Sequence, residues 1–215
     1  LYPVFLITIS TNIRWNVFVK GYHHQKKHPK KEVCLTFDDG PTPEVTQWTL
    51  NTLKQFNAKA TFFCIGDNVR KYPEIAIKIH EEGHTIGNHT FNHLKGWNIN
   101  TDQYVENTNL AQEQILKTIP NYSKQLFRPP YGKIKNKQAK TLISQGYKIV
   151  MWTVISYDWD NSLTKEDCLD ITLKNTTNGT IIVFHDSLKA KENMMYTLPK
   201  FLDYYSKKGY TFKAL

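Results

Sequence analysis

The sequence predicts an α/β fold in which a mostly parallel sheet is linked through helices. Three observations predict it. Short apolar runs, rich in β-branched and aromatic residues, alternate with longer stretches of helical spacing after residue 32. Four of these runs begin just after Gly83, Gly146, Gly179 and Gly209, and glycine past a helix end accepts the left-handed conformation that stops it. Residues able to do chemistry stand at the ends of several runs, where parallel sheets gather their sites.

The expected strands are Val33–Phe37, Ala60–Ile65, Thr85–Asn88, Leu126–Arg128, Lys148–Val154, Thr180–His185 and Tyr210–Lys213. Seven such strands allow an incomplete barrel or an open doubly wound sheet. Between the first two, Val45, Trp48, Thr52, Leu53 and Phe56 share one helical face. Thr42-Pro43-Glu44 predicts an N-cap with proline in the first turn. Further helices are expected over Thr101–Ile119, Ile134–Gln145, Thr164–Thr177 and Met194–Lys208. Thr164 with Glu166 and Asp167 makes a capped, acidic helix start.

A chain of 215 residues suits one domain of ordinary size, and 40% hydrophobic residues suit a folded one. The net charge of +9 favours anionic surfaces. Its densest basic stretch, residues 23–31 (HHQKKHPKK), reads as a solvated linker. No motif of a nucleic-acid-binding fold accompanies it, so no nucleic-acid partner is expected. The opening LYPVFLITIS is shorter than the ~20 residues a spanning helix needs. It reads as the stump of a signal or membrane anchor, or as a segment packed on the domain. The expected division is therefore residues 1–31, an apolar segment and basic linker, and residues 32–215, the folded domain. Cys34, Cys64 and Cys168 are odd in number and form no C-x-x-C pair. Cys34 and Cys64 sit in apolar runs and read as small buried hydrophobes.

The first run ends in Asp38-Asp39-Gly40-Pro41. Neighbouring side chains on a strand point to opposite faces, so both carboxylates reach one pocket only if the chain turns, and Gly40-Pro41 is the expected turn. The third run leads into His89-Thr-Phe-Asn-His93. Histidines four apart share one face of a helical turn and can grip one metal ion. Asp38 or Asp39 would complete a two-His, one-carboxylate set with open positions for water. His80 and His84 read as surface or structural residues. The fourth run ends in Arg128-Pro129-Pro130-Tyr131-Gly132, where the Tyr131 N–H is the next donor after two prolines and Arg128 can pair with a first-strand carboxylate. Asp158-Trp159 follows the fifth run. His185-Asp186 ends the sixth, and a histidine closing a buried strand is a hydrogen-bonded core residue or an acid/base.

Taken together, T-F-D-D-G-P (36–41), H-T-x-x-H (89–93), R-P-P-Y-G (128–132), D-W (158–159) and H-D (185–186) resemble the five ordered motifs of NodB-type polysaccharide deacetylases, carbohydrate esterase family 4. The resemblance implies a distorted (β/α)7 barrel and a divalent metal, most often Zn2+, with Co2+, Ni2+ and Mn2+ as alternatives. It makes Asp39, His89 and His93 the metal ligands, and Asp38 the general base oriented by Arg128. His185 becomes the general acid tuned by Asp158, with Tyr131, Trp159 and Pro129 on the substrate. The implied reaction is removal of N-acetyl groups from N-acetylglucosamine-containing polysaccharide, peptidoglycan or chitin-like, by metal-activated water. Alternatives are O-acetylated glycans, a small amide, or a glycan-binding relative without catalysis. The expected protein is a cell-envelope or secreted monomer with an acetylated glycan as its partner. Two departures from the family pattern are Ile155, where an aspartate is frequent, and Val183 or Phe184 in place of a leucine near the last histidine.

Overall fold

The structure, a computed structural model, describes residues 31–215. The expectations for Leu1–Ser10 and for the basic stretch up to residue 30 lie outside the described residues.

Eight parallel strands form one sheet: β1 (Glu32–Asp38), β2 (Thr61–Cys64), β3 (Thr85–Asn88), β4 (Leu126–Phe127), β5 (Lys148–Ile149), β6 (Val154–Ile155), β7 (Ile181–His185) and β8 (Thr211–Lys213). Their order is β5-β4-β3-β2-β1-β7-β6, with β8 paired to the start of β1. The helices between them are α1 (Val45–Gln55), α2 (Gly66–Lys71), α3 (Pro73–Glu81), α4 (Thr101–Thr118), α5 (Asn136–Ser144), α6 (Lys165–Asn175) and α7 (Lys191–Lys207). This is the distorted barrel that the resemblance implies. Among the described residues no pairing joins β5 to β6, so the barrel is incomplete on that side.

That gap is the main departure from the expected strands. Lys148–Val154 is not one strand but two short ones, β5 and β6, with residues 150–153 between them. The reason lies in the backbone partners. Val150 N still donates to Phe127 O on β4, whereas Thr153 N donates to Ile181 O at the start of β7. The segment changes neighbours midway and cannot stay in one ladder.

The helix pair α2–α3 goes beyond the expected helices. Pro73 opens α3 at its first turn, where its missing N–H costs nothing. The predicted N-cap at Thr42 also fails. α1 starts at Val45, with Glu44 before it at φ 62°. The Thr42 N–H instead donates to the Thr46 hydroxyl. Thr164 does cap α6, accepting from the Asp167 N–H while Asp167 accepts from the Thr164 N–H. All four predicted stop glycines take positive φ, from 78° to 94°.

β1 is buried along its whole length, and Phe37 stacks on Phe62 of β2 and Phe184 of β7. Phe184 in turn meets Phe201 of α7 edge-on. Each such side chain contributes roughly 1.5–3 kcal/mol by leaving water. A second cluster, Tyr104, Phe127, Leu142 and Tyr147, packs α4 and α5 on the β4–β5 side. The core therefore fixes the C-terminal ends of β1, β3, β4 and β7 in one rim. Cys34, Cys64 and Cys168 are free and buried, and burial pushes the Cys34 thiol up to about 12. His84 is a buried structural residue whose Nδ1 accepts from the Ala60 N–H, and His80 is exposed against Tyr122.

Candidate active site

β1 ends at Asp38, which stands in register with Phe63 of β2 and His185 of β7. Asp39 follows with φ 81°, left-handed for a residue that is not glycine. The turn thus begins one residue before Gly40-Pro41, at Asp39 itself, and it brings both carboxylates to one cleft. Asp186 holds this turn from beneath. Its Oδ1 accepts the Gly40 N–H at 3.1 Å and its Oδ2 accepts the Thr46 hydroxyl at 2.5 Å. A Cβ on Gly40 would lie 2.0 Å from Asp186 Oδ2, so the close approach requires glycine. Burial pushes Asp186 up to about 7 despite these donors.

His89 and His93 do not share a helical turn as their spacing suggested. They lie in a loop after β3, with Thr90 at φ 62° and His93 at φ 57°. Side-chain acceptors replace the helical ladder there. Asn88 Oδ1 takes the Thr90 N–H, Asn107 Oδ1 takes the Phe91 N–H, and Thr90 Oγ1 takes the Leu94 N–H. His89 Nδ1 is 2.7 Å from the Arg128 carbonyl. A carbonyl only accepts, so Nδ1 carries the proton and Nε2 turns a lone pair to the cleft. Burial pushes the His89 pKa down to about 4, against the pull of Asp38, which keeps the ring neutral.

Asp39 Oδ1 stands 3.2 Å from His93 Nε2 and 3.6 Å from His89 Nε2. One ligand atom from each of the three lies within 4.8 Å of the others. Asp39 Oδ1 is buried and has no hydrogen bond among the described residues. Burial alone would raise the Asp39 pKa; the imidazoles of His93, His185 and His89 outweigh it and hold the carboxyl well below the usual carboxylate range. An ionised oxygen without a donor, facing two imidazoles, fits a divalent cation with positions left open.

Arg128 is wholly buried. Its Nη1 donates to Asp38 Oδ1 and to Thr36 Oγ1, both at 2.7 Å. Its Nε and Nη2 donate to the carbonyls of Val150 (3.3 Å) and Met151 (3.1 Å). Phe63 lies 4.1 Å below the guanidinium. The arginine therefore spans the gap between β5 and β6 and presents one donor to Asp38. Asp158 grips His185 twice: Oδ1 lies 2.7 Å from His185 Nδ1, and Oδ2 accepts the His185 backbone N–H at 2.8 Å. Burial opposes charge on His185, but Asp158 overrides it and pushes the pKa up to about 9.

A cleft of about 440 Å³ collects Asp38, Asp39, His89, His93, Tyr131, Trp159 and His185. Arg128 and Asp158 reach it only through Asp38 and His185. Pro129 does not line it; it is buried, and its carbonyl accepts from the Gly132 N–H. Tyr131, at φ 59°, packs its exposed ring on His93, 4.7 Å between centroids. Sequence reasoning missed Trp152, Lys133 and Lys189 in the wall, because they come from loops without periodicity. It also gave no role to Thr36 and Asp186, although both stand inside the quoted motifs.

The polysaccharide deacetylase profile matches residues 25–150, which include the β1, β3 and β4 motifs. The chain belongs to the polysaccharide deacetylase family. A family member from Bacillus cereus, named peptidoglycan-N-acetylglucosamine deacetylase, is 36% identical over 187 residues, covering 85% of each chain. Another of that name and organism is 40% identical over 167 residues, which is 78% of this chain and 60% of that one. The chain thus spans less than two thirds of that relative. A peptidoglycan N-acetylglucosamine deacetylase solved in complex with a naphthalenyl N-oxidanyl-benzamide superposes with a TM-score of 0.87. It is 33% identical, and the match covers 95% of this chain and 94% of that one.

Proposed function

We propose that the chain is a metal-dependent hydrolase that removes N-acetyl groups from N-acetylglucosamine-containing envelope polysaccharide, with peptidoglycan the favoured polymer. The observation that carries this reading is the gathering of two unlike pairs at one cleft, Asp38 with Arg128 and His185 with Asp158, beside the Asp39, His89 and His93 set. The names of the relatives support the polymer. Residues 32–215 are the proposed catalytic domain, acting as a monomer outside the cytoplasm, where such polymers lie. Among the described residues no helix is long and apolar enough to cross a membrane.

Asp39, His89 and His93 would hold the cation, with Zn2+ the first choice for two imidazoles and a carboxylate and Co2+, Ni2+ and Mn2+ also accepted by such a set. When bound, the cation supplies Lewis acidity to the acetyl carbonyl and to water. Asp38, fixed by Arg128, takes the proton of the attacking water. The Tyr131 N–H would stabilise the developing oxyanion, and one such donor is commonly worth about 3 kcal/mol of barrier. His185 gives its proton to the sugar nitrogen, since an amide anion does not leave unprotonated. Asp158 keeps that proton on His185 through neutral pH, so the rate falls as pH rises past the His185 pKa. Trp159 walls the acetyl methyl group.

Acetate release from N-acetylglucosamine oligomers, peptidoglycan and O-acetylated xylan tests the reading. Release from the N-acetylated glycans well above that from xylan is expected. Release from xylan alone would replace it with O-deacetylation, and release from none would replace it with glycan binding.

A further inference from the structure

Three clefts meet at Lys189. It lines the active-site cleft of about 440 Å³, a second of about 610 Å³ bounded by Thr42, Asn68, Tyr72 and Ser187, and a third of about 980 Å³ along the starts of α6 and α7. The residue sits in the turn between β7 and α7, four positions after His185. Its Nζ lies over the Trp159 ring, 5.3 Å from the centroid, and the His185 ring meets the same indole edge-on at 6.5 Å. His185 and Lys189 therefore flank one tryptophan.

The other lysines lining these clefts have partners of their own, Lys133 lying over Trp97. Lys191 pairs with Glu44 at 3.0 Å, and Lys165 lies over Tyr196. Asp160 feels the Lys189 charge, but its Oδ1 already accepts the Ser162 N–H and hydroxyl. Among the described residues Lys189 forms no ion pair. An ammonium without an ion-pair partner, steadied on an aromatic face where three grooves join, can receive an anion on a ligand running through them.

We propose that Lys189 sets substrate specificity at this site by binding the carboxylate of an acidic sugar next to the one whose acetamide reacts. This rests on the deacetylase reading above. A peptide-free glycan of alternating N-acetylglucosamine and N-acetylmuramic acid has that chemistry; a strand whose muramic carboxyls carry peptides in amide linkage, or a chitin oligomer, does not. The acetamide lies at the Asp39, His89 and His93 side of Trp159, and the neighbouring sugar's carboxylate lies at the Lys189 side.

The test compares kcat/KM on two oligomers: alternating N-acetylglucosamine and N-acetylmuramic acid with free carboxylates, and the same oligomer with every carboxyl amidated. Wild type is expected to favour the free acid about tenfold, the effect of one charge-assisted hydrogen bond. Lys189→Gln is expected to erase that ratio and Lys189→Arg to keep it. The wild-type ratio should also shrink as salt rises. A Lys189→Gln ratio equal to that of wild type would overturn the inference. Wild type releasing no acetate from either oligomer would instead strike the deacetylase reading, so the two failures are told apart.

Discussion

Asp38→Asn lowers kcat for acetate release by a factor on the order of 10²–10⁴ and leaves the bound cation in place. The geometry separates the two adjacent carboxylates. Asp39 Oδ1 faces both imidazoles, whereas Asp38 Oδ1 is occupied by Arg128 Nη1 at 2.7 Å. Asp38 Oδ2 is the oxygen turned to the cleft, 4.0 Å from His89 Nε2. An amide keeps that shape but cannot take a proton from water. Substrate binding should change little, so the loss belongs in kcat rather than KM. Near wild-type turnover in Asp38→Asn, with metal content intact, would remove Asp38 from the role of base.

Arg128→Met destabilises the fold by about 3–5 kcal/mol, the usual cost of leaving one member of a buried ion pair alone. The arginine has two jobs that methionine cannot do. It neutralises Asp38, which is 4% exposed, and it ties the Val150 and Met151 carbonyls across the break between β5 and β6. Urea unfolding should show a lower midpoint at an unchanged slope. Arg128→Lys keeps the charge, but one ammonium cannot reach Thr36, Asp38, Val150 and Met151 together, so an intermediate loss is expected. In the double variant Asp38→Asn, Arg128→Met the costs should sum to less than the two singles, because no unpaired carboxylate is left. Additive losses would mean that the pair is not coupled.

The strand runs were legible because parallel strands buried on both faces read as continuous apolar segments, as IIVFH in β7 does. The break in 148–154 was not, because it depends on which neighbour offers carbonyls. The helical spacing of His89 and His93 brought the two side chains together, as the structure does, but through the wrong local structure. Asn88, Asn107 and Thr90 bend that loop, and their effect is visible only once β3 and α4 are packed together. Asp39 was legible as a candidate but tied with Asp38 on residue type alone. Its positive φ and its buried, donor-free Oδ1 distinguish the two. Lys189 carried no signal in the chain, since its surroundings come from three separate loops.

The most direct measurement is the number of zinc ions bound per chain, by titration into metal-free protein, for wild type beside Asp39→Ala and His93→Ala. Wild type should take up one ion, and either substitution should abolish tight uptake while the fold survives. Equal uptake by all three proteins, or none by wild type, would show that Asp39, His89 and His93 do not act together on a single cation.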